Sequence, residues 1–121
     1  MENKKKVFIS TPMSGKDEAL IKRSIQLAKR SYCRKNKISA RDVDFYNNLE
    51  EVKCLEKRND VTIEDAEMIL HKPVAYLGIA IQVLSACDEA IFTRGWKDAR
   101  GCRIEHEVCV QYGIPFDDQD E

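Results

Sequence analysis

No stretch of this sequence is apolar for the roughly 20 residues that a bilayer-spanning helix needs. Nor do the opening residues, Met1 to Lys6, contain the apolar segment of a secretory leader. Neither sign of charge dominates: 20 Lys and Arg stand against 21 Asp and Glu, a formal net charge of -1. A broad nucleic-acid footprint or an anionic membrane surface calls for a basic excess, so neither is an expected partner. Lys4-Lys5-Lys6 is short and precedes a strand, which suits a solubilising sheet edge. Histidine is scarce, with only His71 and His106, and the five cysteines (Cys33, Cys54, Cys87, Cys102 and Cys109) are odd in number with no pair two residues apart. That argues against a disulfide framework and against zinc, and it fits reduced thiols in a cytoplasmic protein with no metal or cofactor. Internal repeats and low-complexity segments are absent as well.

What is present is 121 residues, 43% of them hydrophobic, enough for one core. Val7-Phe8-Ile9 reads as a buried strand closed by the polar loop Ser10 to Gly15. From Asp17 to about Arg34, Ile21, Ile25, Ala28 and Tyr32 recur at helix spacing, with acids in the first turn and bases in the last. A second strand is expected over Asp42 to Tyr46, then a charged loop, then a short helix from Thr62 to about Leu70. Pro73 opens a further helix to about Ala86 that is apolar nearly all round. Its surplus apolar face fits either a subunit interface or a helix covered by the preceding charged loop. Ala90 to Thr93 reads as the next strand, Gly101 to Tyr112 as a helix capped by Gly113, and Ile114 to Phe116 as a final strand before an acidic tail. Strands alternating with helices predict a small three-layer α/β domain over residues 1–116, with a parallel sheet of four to five strands and the tail at 117–121.

In open parallel sheets, ligands gather outside the carboxyl ends of the strands. Two such ends stand out. Ser10-Thr11-Pro12-Met13-Ser14-Gly15-Lys16 offers hydroxyls, a flexible Gly and free N–H groups for a phosphate, although it is not a Walker A loop. It fits an ordinary strand-to-helix turn with a capping Ser equally well. Arg94 to Gly101 supplies Gly95 for close backbone approach, Trp96 to stack on a planar base, and Asp98 to hydrogen-bond a base or sugar. The structural alternative makes Trp96 a hydrophobic lid and Asp98 a helix cap. On the helix that follows, Ile104, Val108 and Tyr112 are taken to mark the core direction. Glu105 then falls about 60° from that centre, Glu107 about 100° and His106 about 160°. Glu105 is thus expected to face a pocket, or else to be a helix-start carboxylate, and His106 to lie on the surface.

At these residues the chain resembles the nucleoside 2-deoxyribosyltransferase-like superfamily, in particular a small branch encoded by phages and bacteria. The matching stretches are VFISTPMSGK, KPVAYLGIAIQVLSACDEAIF and GWKDARGCRIEHEVCVQYGIP. The resemblance implies a Rossmann-like or flavodoxin-like sheet and a nucleoside or nucleotide substrate. It casts Glu105 as the nucleophile at the anomeric carbon and Asp98 as the acid that holds the sugar. Ser10, Ser14 and Gly15 match a first loop that binds a 5′-phosphate, and Met13, Lys16, Gly95, Trp96 and Gly101 complete the implied substrate site. Two departures accompany it. The stretch Tyr76 to Gln82 offers no acid for the leaving base, and the sequence stops soon after Phe116, where the transferases continue. The resemblance thus implies a hydrolase or transferase-like enzyme, with a nucleotide-binding protein lacking turnover as the alternative. Apart from the resemblance, the surplus apolar face of the 74–86 helix leads to the expectation of a homodimer or higher homo-oligomer through it.

Overall fold

A computed structural model describes residues 4–13, 16–47 and 71–119. The expected loop and helix between Asn48 and Leu70, and Ser14 and Gly15 of the first loop, lie outside the described residues. The chain builds β1 (Lys5–Ser10), α1 (Glu18–Asn36), β2 (Val43–Asn47), α2 (Lys72–Ser85), β3 (Glu89–Phe92), α3 (Arg100–Tyr112) and β4 (Phe116–Asp118). All strand pairings are parallel and the sheet order is β2-β1-β3-β4. This is a small α/β domain consistent with a Rossmann-like or flavodoxin-like fold, as the alternation of strands and helices predicts.

Strand alternation divides the core in two. Val7, Ile9, Val43 and Ile91 point to one face, where they meet Ile21, Ile25, Ala28 and Tyr32 of α1. Phe8, Ala90 and Phe92 point to the other, where Ala80 and Leu84 of α2 and Cys102 and Cys109 of α3 cover them. Because β1 and β3 are covered on both sides, their apolar residues run without a break. Phe8, Ile9, Ile91 and Phe92 are fully buried, each worth roughly 1.5–3 kcal/mol of transfer free energy.

Local chemistry sets the element ends. The Asp17 carboxylate accepts from the Ala19 N–H at 3.4 Å and caps α1. Pro73 sits in the first turn of α2, where its missing N–H costs nothing. Gly113 adopts φ 72 and closes α3 in the left-handed conformation that a side chain disfavours. Among the described residues, no helix is long and apolar enough to cross a membrane.

The last strand lies later than the sequence pattern suggests. Asp117 and Asp118, expected in a frayed tail, belong to β4 and pair with Ile91 and Phe92. Lys35 holds Asp117 at 3.2 Å, and the Gln119 N–H donates to the Phe92 carbonyl at 2.8 Å. The acidic residues stay because β4 is an edge strand, where charge is tolerated and deters pairing with another chain.

Candidate functional site

The carboxyl ends of β1 and β3 lie side by side and are tied together. The Thr93 N–H donates to the Ser10 carbonyl at 3.1 Å, and the Thr93 hydroxyl meets that of Thr11 at 3.3 Å. Gly95 follows in a left-handed conformation (φ 90), and a Cβ there would lie 3.7 Å from Pro12. Space is therefore adequate, and the backbone angle is what calls for glycine. The 3₁₀ turn Trp96–Asp98 then leads into α3.

Glu105, in the second turn of α3, reaches back to this junction. Its side chain is 1% exposed, and Ser10 Oγ donates to Glu105 Oε1 at 2.6 Å. Ser10 at the end of β1 and Glu105 on α3, singled out separately in the sequence, are thereby brought together. Burial disfavours the charged form and pushes the Glu105 carboxyl up to about 7, while the Ser10 hydrogen bond opposes the rise. Cys102 and Cys109 flank it on the same helix stripe. Burial lifts Cys102 to about 12 and Cys109 to about 11, so both are thiols at neutral pH rather than nucleophilic thiolates. Among the described residues, Cys33, Cys87, Cys102 and Cys109 form no disulfide.

The buried stripe of α3 differs from the expected one. Ile104 is 42% exposed and Tyr112 81% exposed, whereas Cys102, Glu105 and Cys109 are buried. Cysteine is small enough to let α3 lie close against the sheet, and it packs as a hydrophobe. Glu105 therefore sits at the centre of the buried face rather than at its flank. His106, expected on the surface, is largely enclosed. Its ring stacks on Trp96 at 3.9 Å between centroids, contacts the edges of Phe92 and Phe116, and hydrogen-bonds the Asp118 carboxylate at 3.1 Å. The aromatic surround and the carboxylate of β4 hold the ring inward, beside the buried stripe of α3.

The other site candidates separate. Trp96 is buried in the α2–α3 core with one ring face against His106, so that face is closed to a base. Asp98 is exposed, makes no hydrogen bond to Glu105 among the described residues, and does not cap α3, whose cap residue is Ala99. Met13 packs against the α1 core, and the exposed Lys16 closes a turn onto the Met13 carbonyl. Gly101 lies beside Leu77 of α2. The sequence reading missed Thr93 as a site residue; its only signal is a hydroxyl immediately past β3.

Glu105 lines neither of two cavities formed by the described residues. The larger, about 730 Å³, opens between α1 and the ends of β3 and β4. The smaller, about 340 Å³, lies between Lys6, Tyr46 and the end of α2. Among the described residues, no group of three or more His, Cys, Asp and Glu could hold a metal ion.

A family model described as a domain of unknown function (DUF4406) matches residues 49–117, more than half of the chain. The chain belongs to the DUF4406 family. The matched segment carries Trp96, Asp98, Glu105 and His106, whereas β1 and Ser10, which complete the Glu105 contact, precede it. No curated protein and no solved structure matches this DUF4406 chain.

Proposed function

We propose that this chain acts on the N-glycosidic bond of a (deoxy)nucleotide, as a hydrolase or a deoxyribosyltransferase-like enzyme with Glu105 as nucleophile. The observation that carries this reading is the 2.6 Å contact from Ser10 to Glu105 at the adjoining carboxyl ends of β1 and β3. A parallel sheet offers its ligands that end, and Ser10 fixes the carboxyl group by a strong, short hydrogen bond. In the proposed reaction a Glu105 oxygen bonds to the anomeric carbon as the bond to the base nitrogen breaks. The electron pair leaves with the base, which takes its proton from water. A second water or an incoming base then displaces the ester, as in retaining glycosidases. The resemblance to deoxyribosyltransferase-like proteins supports the substrate class.

Attack requires the ionised carboxylate. With a pKa raised to about 7, Glu105 is protonated in acid and ionised in base, so the rate rises as pH passes through neutrality and levels off above it. Release of free base from a panel of deoxynucleoside monophosphates, followed by chromatography, tests the reading. Wild type is expected to release base and Glu105→Gln to lose that release by at least about a hundredfold. Equal release by the two proteins would remove Glu105 from the chemistry.

A second reading, a nucleotide-binding protein without turnover, is favoured by the stacking of His106 on Trp96 and the outward position of Asp98. A nucleotide that raises the melting temperature and is recovered unchanged distinguishes it. Under either reading the free thiols suit a reducing cytoplasm. The 65% exposure of Val74 on an apolar helix supports assembly of copies through the 74–86 helix.

A further inference from the structure

We propose that the cavity between α1 and the ends of β3 and β4 binds a small phosphate-bearing molecule of nucleotide size. The hollow is lined by Leu27, Arg30 and Arg34 of α1 and by Thr93, Arg94 and Gln119 beyond the sheet. It lies on the α1 side of the sheet, whereas Glu105 belongs to α3, which covers the opposite side. The proposal therefore stands apart from the Glu105 reading.

Charge is the first argument. Arg30, Arg34, Lys35 and Arg94 line the cavity against two carboxylates, Asp117 and Asp118. Both carboxylates are already engaged: Asp117 by Lys35 at 3.2 Å, and Asp118 by His106 at 3.1 Å. Among the described residues, no carboxylate forms an ion pair with Arg30, Arg34 or Arg94. Three guanidinium forks are thus left around one hollow, the donor geometry that matches phosphate oxygens.

Gln119 adds a polar wall to the same cavity. Size is a second observation, independent of charge. A volume of about 730 Å³ lies within the range of small-molecule sites and far exceeds what a lone phosphate fills. Leu27 and the hydroxyls of Ser24 and Ser31 offer apolar and hydrogen-bonding wall for the remainder of the molecule.

Isothermal titration of the full chain tests this with three probes: a deoxynucleoside 5′-monophosphate, the same nucleoside without phosphate, and inorganic phosphate. The monophosphate is expected to bind at least about tenfold more tightly than the nucleoside. The double substitution Arg30→Gln with Arg34→Gln, and Arg94→Gln alone, should each weaken it by about tenfold or more. The arginines are exposed, so these variants are expected to keep the wild-type fold. Tighter binding of the monophosphate than of inorganic phosphate supports a nucleotide ligand; equal binding supports an oxyanion site whose source is free phosphate. Absence of binding by every phosphate-bearing probe overturns the proposal. So does unchanged affinity in the arginine variants. Binding that disappears only in Glu105→Gln would overturn it too, while leaving the Glu105 reading standing.

Discussion

A carboxyl group that is 1% exposed, with one hydroxyl donor, is unstable as a charge, and Glu105 carries that conflict. Its folded pKa of about 7 exceeds the ordinary 4.5, so the native state holds the proton more tightly than the unfolded chain. The group's contribution to stability is therefore fully present below pH 4.5. It declines between pH 4.5 and 7 and is lost above. The decline amounts to about 3 kcal/mol at one pKa unit per 1.36 kcal/mol. Urea unfolding of wild type and Glu105→Gln across this range should show the difference between them changing in that direction, with the variant gaining relative to wild type as pH rises. A difference that does not vary with pH would mean that Glu105 ionises as a solvated carboxylate. At this scale the sequence was partly legible. The position of Glu105 followed from its spacing on the helix. Its depth did not, because the core direction was drawn through Ile104 and Tyr112 rather than through Cys102 and Cys109. The same error sent His106 outward, and no local pattern announces a partner such as Asp118, twelve residues away.

Among the elements, α1 was the most legible, because Ile21, Ile25, Ala28 and Tyr32 repeat one face over about three turns and all four are buried. The last strand was the least legible. Its residues Phe116, Asp117 and Asp118 carry no strand pattern and are held by pairing with β3 and by Lys35. Helix ends were readable where a single residue type decides them. Gly113 stops α3 at φ 72, so Gly113→Ala should destabilise by about 1 kcal/mol and lower Tm by a few degrees. Thermal unfolding by circular dichroism checks this; an unchanged Tm would mean that α3 ends by another device.

For the whole molecule, the parallel α/β architecture could be read from the alternation of elements, since a buried parallel sheet needs helices on both faces. The partnership between β1 and α3 was harder to see, because Ser10 and Glu105 are separated by 95 residues. It emerged only from where the strands of a parallel sheet end. Assembly belongs to this scale too. Val74 on the apolar α2 predicts a dimer or larger oligomer by light scattering, and Val74→Asp should shift it toward monomer. A wild-type monomer at high concentration would remove the interface.

Glu105 is proposed to form a bond to the sugar. Wild-type protein quenched within the first turnover of a deoxynucleoside monophosphate, then digested and weighed by mass spectrometry, tests it most directly. A deoxyribose-phosphate adduct is expected on the peptide that contains Glu105. Base released without that adduct, and at the same rate by Glu105→Gln, would contradict it.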